Sequence, residues 1–154
     1  MSSPEQDLPS RMPHFSDPEL EAERERIVAP LDEGDIARLL RFGEPRTFRD
    51  GEKLLEIGKP TEGMYVVLSG SVVFARRDHL GRKIVFGERG RGHFLAELGH
   101  LWGHRAHFEG TANGEVEALL VPPRGLRTLM VTEVELGTRL LRILMLRRKA
   151  RNVT

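Results

Sequence analysis

Cysteine is absent from the sequence, and its absence excludes several classes of protein at once. The chain has no disulfide framework, no thiolate metal site, no CxxC redox pair and no cysteine nucleophile. Long apolar runs are absent as well: no stretch approaches the roughly 20 consecutive apolar residues of a membrane-spanning helix. The polar, proline-containing start over residues 1–11 lacks the apolar core of a signal peptide. We therefore expect a cytoplasmic protein without a membrane partner.

The 154 residues have room for one domain, and their formal net charge of +1 hides a gradient. Residues 1–44 carry 11 acidic and 5 basic side chains, whereas residues 139–154 carry 6 basic and no acidic ones. The basic end fits either cations beside a helix C-terminus or a tail that contacts nucleic-acid phosphates. Because the basic run is one turn long and no helix-turn-helix pattern follows, we expect no direct nucleic-acid binding.

The N-terminal part divides into a leader and helices. Residues 1–18 hold four prolines and little apolar material, too little to offset the entropy of ordering, so they predict a flexible leader. Residues 19–44 predict the N-terminal helices, the first over residues 19–28 because of its helical composition. Pro30 ends this first helix.

A second short helix is predicted over residues 33–42. Asp32 precedes it and is a good helix cap, because its carboxylate can accept from the unpaired amides of the first turn. The helix has one apolar stripe, formed by Ile36, Leu39 and Leu40.

Residues 45–121 change to short apolar runs separated by turns. The predicted strands are the runs PRTFR, KLLEI, MYVVLS, SVVFARR, KIVFGE and EVEALLV. Turn signals divide them at Asp50-Gly51, Gly58, Ser69-Gly70, residues 79–81 and Asn113-Gly114. Strands at roughly 8–12-residue spacing indicate a sandwich, jelly roll or barrel rather than a parallel α/β sheet. The predicted fold class is mainly β.

Residues 122–150 return to a helical pattern and predict two C-terminal helices. Their apolar residues recur at three- and four-residue steps, at Leu126, Leu129, Met130, Leu136, Leu140, Leu141, Leu144 and Met145. The wide apolar face of the last helix fits two arrangements: packing on the barrel, or pairing with a second copy in a homodimer.

An ordered set of motifs resembles a known family. Asp50-Gly51-Glu52, Gly58 and the run MYVVLSGSV over residues 64–72 look like the first half of a cyclic-nucleotide-binding domain. The family examples are the catabolite activator and the regulatory subunits of protein kinase A. The run GHFLAEL over residues 92–98 resembles the phosphate-binding cassette of that family. The resemblance covers residues 31–148 and implies a double-stranded β-helix jelly roll with short N-terminal helices and two C-terminal helices.

The resemblance implies a ligand site in a cassette-like segment, residues 92–112. A cyclic nucleotide presents one negative phosphate and one ribose 2′-hydroxyl, so its pocket needs N–H donors at a helix start, a cation and a carboxylate. Glu97 matches the ribose-binding carboxylate of the family, and Leu98 matches its neighbour. The implied ligand is cAMP or cGMP, and the candidate ligand-binding residues are Ala96, Glu97, Leu98, Arg105, Ala106 and His107.

Three positions depart from the family pattern. Ala96 stands where the family has glycine, and a Cβ costs about 1 kcal/mol or more if that position needs a positive φ. Ala106 stands at the position of the phosphate-binding arginine, with Arg105 one residue early; shifting one gap would restore Arg105. Glu109 stands near a ligand-facing Thr or Ser of the family, where an uncompensated carboxylate would repel a phosphate. We expect cAMP or cGMP to bind no tighter than the high micromolar range.

Four histidines in and around the cassette, namely His93, His100, His104 and His107, raise the alternative of a cupin-like metal enzyme. Jelly rolls host metal sites with imidazole ligands, and such sites usually draw two histidines from an H-x-H strand. The sequence has no H-x-H, and Arg105 is a poor neighbour for a divalent cation. We predict histidines at the surface or at the rim of the cassette, with no metal.

The second half of the chain is similar to one branch of the family. The runs GEVEALLVP, over residues 114–122, and ILMLRR, over residues 143–148, resemble the module that precedes flavin-dependent thioredoxin reductases. Because the chain has neither a G-x-G-x-x-G fingerprint nor a CxxC pair, it cannot be the reductase itself. The resemblance implies an attached or partner reductase domain. An alternative is the sensor half of a transcription regulator that lacks its DNA-binding domain.

These observations together predict a non-catalytic sensor or regulatory domain with degenerate nucleotide binding. Its terminal helices would relay the state of the cassette, or of a partner, to an attached domain. The function is implied by the resemblance of the fold and not by a catalytic set of residues.

Overall fold

A computed structural model describes residues 30–95 and 105–153, with side chains up to residue 146. Within these ranges the chain forms three α-helices and six strands. The elements in chain order are α1 (Glu33–Leu39), a 3-10 turn (Leu40–Phe42), β1 (Glu44–Phe48), β2 (Lys53–Leu55), β3 (Met64–Arg77), β4 (Lys83–Arg89), β5 (Phe94–Leu95), β6 (Glu109–Val121), α2 (Pro123–Thr132) and α3 (Val134–Val153).

Helix α1 begins where the sequence predicts it. The Asp32 side chain accepts from the amide of Asp35 at 2.8 Å, and the Asp35 side chain reaches back to the amide of Asp32 at 3.4 Å, so the two residues form a capping box. The apolar stripe is narrower than predicted, because Leu40 belongs to the 3-10 turn and is exposed. The predicted helix at residues 19–28 and the predicted leader lie outside the described residues.

The strands form one antiparallel sheet that rolls up, which confirms the predicted mainly β jelly-roll class. The sheet order is β1-β6-β3-β4, with β2 paired to β6 and β5 paired to β3. The two longest strands, β3 and β6, pair along most of their lengths, from Met64 opposite Val121 to Ala75 opposite Glu109. Each of the other strands pairs with β3 or β6, so these two are the central strands of the sheet.

Two predicted turns, Ser69-Gly70 and Asn113-Gly114, do not end strands. The pairing of β3 with β6 shifts register on both sides of Ser69, and the strands then continue as the same elements. Gly70 has φ +83°, and a Cβ on it would lie 2.3 Å from the carbonyl oxygen of Glu115. The predicted break at Ser69-Gly70 is therefore wrong: the glycine with positive φ lies at a bulge within one long strand.

The core has two parts, one on each side of the central strand pair. The helical part joins α1, α2 and α3 to the sheet and is built from Leu31, Ile36, Leu39, Met64, Val66, Phe94, Leu119, Val121, Leu126, Leu129, Leu136, Leu140 and Leu144. The interior of the roll is built from Leu54, Leu55, Tyr65, Val67, Val72, Phe74, Leu95, Ala112, Val116, Ala118 and Leu120.

The last helix, α3, packs on the protein along only one side. Leu136, Leu140 and Leu144 are buried in the helical part of the core, whereas Leu141 and Met145 of the predicted apolar face remain exposed. The helix has 20 residues, and charged side chains recur along its length. Among the described residues no helix is long and apolar enough to cross a membrane.

One ion pair between a buried carboxylate and a half-exposed arginine joins α1 to α3. The carboxylate of Asp35, in α1, is buried and accepts two hydrogen bonds from Arg139, in α3, at 2.5 and 3.1 Å. Close by, Glu133 at the junction of α2 and α3 pairs with Arg41 at 3.1 Å and with Arg38 at 4.0 Å. The hydrogen bonds and charge of Arg139 outweigh burial and hold the pKa of Asp35 below its usual range.

We predict that stability falls on acidification partly because of Asp35. Since its folded-state pKa is lowered, the carboxylate stabilises the fold above its unfolded-state pKa of about 4 and loses this contribution as the pH drops below it. At neutral pH, Asp35→Asn should cost about 2 kcal/mol, because Arg139 loses its charged partner. Urea unfolding of both proteins from pH 7 to pH 3 measures this.

The matched control is Glu62→Gln, which removes an exposed carboxylate paired with Arg46. That pair is accessible to solvent and should contribute less than about 1 kcal/mol. The difference between the wild type and D35N should shrink as the pH falls; a constant difference down to pH 3 would contradict the account.

Candidate functional site

The cassette-like segment is described at its two ends. Its first end is β5 (Phe94–Leu95), which pairs antiparallel with Val66 and Tyr65 of β3. Its second end begins at Arg105 and runs into β6. The predicted ligand residues Ala96, Glu97 and Leu98 lie outside the described residues, as do His100, Trp102 and His104. The geometry of the site is therefore read from the residues that lead into the cassette and out of it.

The turn that leads into the cassette is fixed by Gly92. This residue has φ +89°, a conformation that L side chains rarely adopt. Its amide donates to the carbonyl of Val67 at 2.8 Å, and its carbonyl accepts from the amide of Leu31 at 2.7 Å. A Cβ on Gly92 would lie 2.7 Å from the carbonyl oxygen of Leu31. The entrance of the cassette is thus bonded directly to the residues that precede α1.

Arg91 strengthens the same connection with charge. Its guanidinium donates to both carboxylate oxygens of Glu33 in α1, at 2.6 and 2.9 Å, and to the carbonyl of Leu68 in β3 at 2.7 Å. The hydrogen bond from Arg91 lowers the pKa of Glu33. Sequence reasoning missed this residue, because no motif or spacing links Arg91 to a carboxylate 58 positions earlier.

The exit of the cassette holds Ala106 by its backbone. Ala106 is buried; its amide donates to the carbonyl of Lys59 at 3.0 Å, and its carbonyl accepts from the amide of Gly58 at 2.9 Å. The neighbouring Arg105 is exposed, and its guanidinium donates to the carbonyl of Gly58 at 2.6 Å. His107 is exposed as well. At the predicted phosphate position the chain therefore presents a methyl group, with the adjacent cation engaged by a backbone carbonyl.

Glu109 is buried, but its charge is compensated. Lys83 lies 2.9 Å from one carboxylate oxygen, and Lys53 lies 3.4 Å from the other. Burial raises the pKa of Glu109, but the hydrogen bonds and charges of Lys83 and Lys53 together outweigh burial, so the pKa falls below its usual range. The condition under which Glu109 would repel a phosphate, an uncompensated charge, is not met.

Glu109 also faces away from the residues beside the cassette entrance. Gly110 is directed at the roll interior, because a Cβ on it would lie 2.7 Å from the side chain of Leu95, the last residue of β5. Successive side chains of a strand point to opposite faces. The side chain of Glu109 therefore lies on the other face of β6, where its strand partner is Ala75.

An aromatic group borders both described ends of the cassette. The ring of Phe74 stacks on Phe86 at 5.9 Å and meets Phe108 edge to face at 5.9 Å. Phe108 lies three residues beyond Arg105, while Phe74 neighbours Leu95 at the other end. The rings of Phe74, Phe86 and Phe108 thus form an aromatic cluster beside both described ends.

The described residues contain no group of three or more histidines and carboxylates arranged to hold a metal ion. The Nδ1 atom of His93 lies 3.2 Å from the carbonyl oxygen of Gly90, within its own turn. The cassette entrance is connected to the start of the helices by the hydrogen bond between Gly92 and Leu31 and by the ion pair between Arg91 and Glu33.

Comparison with known proteins shows the family and the fold of this chain. Residues 45–133 match the family described as "Cyclic nucleotide-binding domain". The catabolite activator protein of Thermus thermophilus has a similar structure, with a TM-score of 0.70 and 18% identity over 83% of this chain and 60% of that protein. The c-di-GMP-responsive regulator CLP of Xanthomonas campestris has a TM-score of 0.64 and 23% identity over 79% of this chain and 60% of CLP.

A third solved structure is similar over nearly its whole length. It is the N-terminal domain of a transcriptional regulator from Streptomyces coelicolor, with a TM-score of 0.62 and 27% identity over 86% of this chain and 94% of that domain. The chain thus spans 60% of the length of the Thermus and Xanthomonas regulators but most of this isolated domain. No curated protein sequence matches the chain.

The family match covers more than half of the chain and includes β1, both central strands, the cassette and α2. The rolled antiparallel sheet and the helices around it agree with that match. The chain belongs to the cyclic nucleotide-binding domain family.

Proposed function

We propose that this chain is a non-catalytic sensor domain of the cytoplasm in which the state of the cassette is transmitted through α1 to the C-terminal helices. The observation that carries the proposal is the continuous set of contacts between the cassette entrance and α3. Gly92 and Arg91 hold α1 through Leu31 and Glu33, and Asp35 of the same helix holds Arg139.

The route has the elements that a relay requires. Helix α1 is only seven residues long, so its attachment depends on its partners more than on its own hydrogen bonds. Two of its charged contacts lie near its start: Glu33 pairs with Arg91 at the cassette entrance, and Asp35 pairs with Arg139 in α3. A displacement of the entrance turn would therefore disturb both contacts, and a ligand that favours one position of the turn would shift the population of α3 positions.

We further propose that cyclic mononucleotides are poor ligands of this site. A phosphate in a partly dry pocket needs a charge-assisted partner, and Ala106 supplies none. Arg105 is engaged with the carbonyl of Gly58. The Xanthomonas regulator is described as responsive to c-di-GMP, so c-di-GMP is a further probe for this chain. cAMP and cGMP remain the first probes because Glu97, the ribose-binding position, is retained in the sequence.

The output of the sensor is proposed to be an attached or partner domain. The similar solved structures include transcriptional regulators, which favours a regulator as the whole protein. The sequence resemblance to the module of thioredoxin reductases favours a reductase instead. A second copy bound along α3 is part of the same proposal, because Leu141 and Met145 are exposed and border a shallow hollow lined also by Thr138, Arg142 and Leu146.

We predict that both cyclic mononucleotides bind weakly. Isothermal titration with cAMP and cGMP should give dissociation constants no tighter than the high micromolar range. Ala106→Arg should raise the affinity about tenfold or more, as one charge-assisted hydrogen bond to a phosphate contributes about 1.5–3 kcal/mol. Thermal unfolding of A106R verifies that the variant is folded.

Two variants serve as controls for this prediction. Arg105→Ala should leave the affinity within about twofold, because an exposed arginine held by a carbonyl contributes little to a distant charge. Glu109→Gln should not improve binding, because Glu109 lies on the other face of β6 and is already neutralised. Low-micromolar binding of cAMP or cGMP to the wild type would contradict the proposal. If that binding were lost in R105A, Arg105 would be identified as the phosphate ligand.

The second prediction tests the relay without any ligand. Gly92→Ala should speed amide hydrogen exchange in α1 and in residues 134–146 by about tenfold, because the new Cβ collides with Leu31 and opens the entrance turn. The matched control is Gly81→Ala, which introduces the same strain at φ +82° but meets nothing within 4 Å. Equal exchange in these helices for G92A and G81A would show that the turn and the helices are not coupled.

A further inference from the structure

Two motifs that the sequence presents as turns, Asp50-Gly51 and Asn113-Gly114, meet in the fold. The amide of Gly114 donates to the Asp50 carboxylate at 2.7 Å, and the amide of Gly51 donates to the carbonyl of Ala112 at 2.9 Å. Gly51 and Gly114 have φ +87° and +80°, and an added Cβ on either would meet nothing within 4 Å. The sensor function described above uses neither motif.

Asn-Gly is the dipeptide in which asparagine is chemically least stable, because glycine leaves its own amide nitrogen unhindered. Of the two asparagines in the sequence, Asn113 precedes glycine, whereas Asn152 precedes the β-branched Val153. Asparagine is for this reason counted among the thermolabile residues of proteins. Asn113 is therefore the position of this chain at which deamidation is expected first.

The fold engages both reacting groups of this dipeptide in hydrogen bonds to carboxylates. The nucleophile, the Gly114 nitrogen, has its proton engaged by the Asp50 carboxylate. The leaving group, Nδ2 of Asn113, donates to the Glu88 carboxylate in β4 at 2.8 Å, and the same carboxylate oxygen accepts from the hydroxyl of Ser71 at 2.6 Å. Asn113 is also paired with Ser71 in the ladder between β6 and β3.

We propose that Asn113 is a latent deamidation site whose reactivity is suppressed by two carboxylates, Asp50 and Glu88. Asp50 disfavours loss of the Gly114 amide proton, because the resulting nitrogen anion would lie against a negative charge. Glu88 keeps the carboxamide directed at β4 and away from the backbone nitrogen that must attack it. Protection therefore depends on these side chains and not only on the strand in which Asn113 lies.

Water is the only co-reactant of the suppressed reaction. The deprotonated Gly114 nitrogen bonds to Cγ of Asn113, the bond from Cγ to Nδ2 breaks, and Nδ2 leaves as ammonia with a proton from water. Water then opens the succinimide at either carbonyl, which leaves aspartate or isoaspartate at position 113; no atom is oxidised or reduced. The product carries a carboxylate at position 113 beside that of Glu88. The modification therefore also weakens the side-chain contacts among β3, β4 and β6 at this point.

The experiment compares deamidation rates at residue 113. Wild type, Asp50→Ala and Glu88→Ala are incubated at mildly alkaline pH, and the peptide containing position 113 is analysed by mass spectrometry with isoaspartate detection. The wild type should react far more slowly than the synthetic peptide TANGEV, residues 111–116. Each variant should react about tenfold or more faster than the wild type, the factor that corresponds to losing one charge-assisted hydrogen bond.

A matched control separates side-chain protection from general loosening. Val116→Ala removes a fully buried side chain of β6 but leaves both carboxylates in place. At equal loss of melting temperature, D50A should still deamidate about tenfold faster than V116A, a difference of about 1.4 kcal/mol in barrier. Equal rates for D50A and V116A would overturn the proposal, as would a wild type that reacts as fast as the free peptide.

Discussion

The arrangement of the helices depends on the burial of one carboxylate. Asp35 is buried at the start of α1, and a charge removed from water is tolerated only when it is paired and hydrogen-bonded. Its partner, Arg139, comes from α3, 104 positions later in the sequence. This pairing links α1 directly to α3, and Leu39 and Leu140 of the same two helices belong to one apolar core.

The cassette entrance is attached to the start of the same helix, α1. The carbonyl of Gly92 accepts a hydrogen bond from Leu31, just before α1, and Arg91 forms an ion pair with Glu33, the first residue of α1. The remaining cations near the cassette are engaged elsewhere: Lys53 and Lys83 neutralise Glu109, and Arg105 donates to Gly58. In this member of the cyclic nucleotide-binding domain family, Arg91, Lys53, Lys83 and Arg105 are thus all engaged by groups of the protein itself.

The sequence predicted what depends on neighbours along the chain. Asp32 could be identified as a cap because a cap acts within one turn, and the mainly β class followed from the spacing of the strands. The predicted breaks at Ser69-Gly70 and Asn113-Gly114 were wrong, because a glycine with positive φ serves a bulge as well as a turn, and pairing partners decide between the two. The roles of Arg91 and Arg139, and the two lysines around Glu109, could not be predicted, because each depends on residues that only the folded topology brings together.

Asp35 and Arg139 couple α1 to α3, and a double-mutant cycle with Asp35→Ala, Arg139→Ala and the double variant, measured by urea unfolding at pH 7, quantifies this coupling. We expect a coupling energy of about 1.5–3 kcal/mol, the range for a charge-assisted bidentate pair with one buried partner. Additive effects of the two substitutions, within about 0.5 kcal/mol, would contradict it.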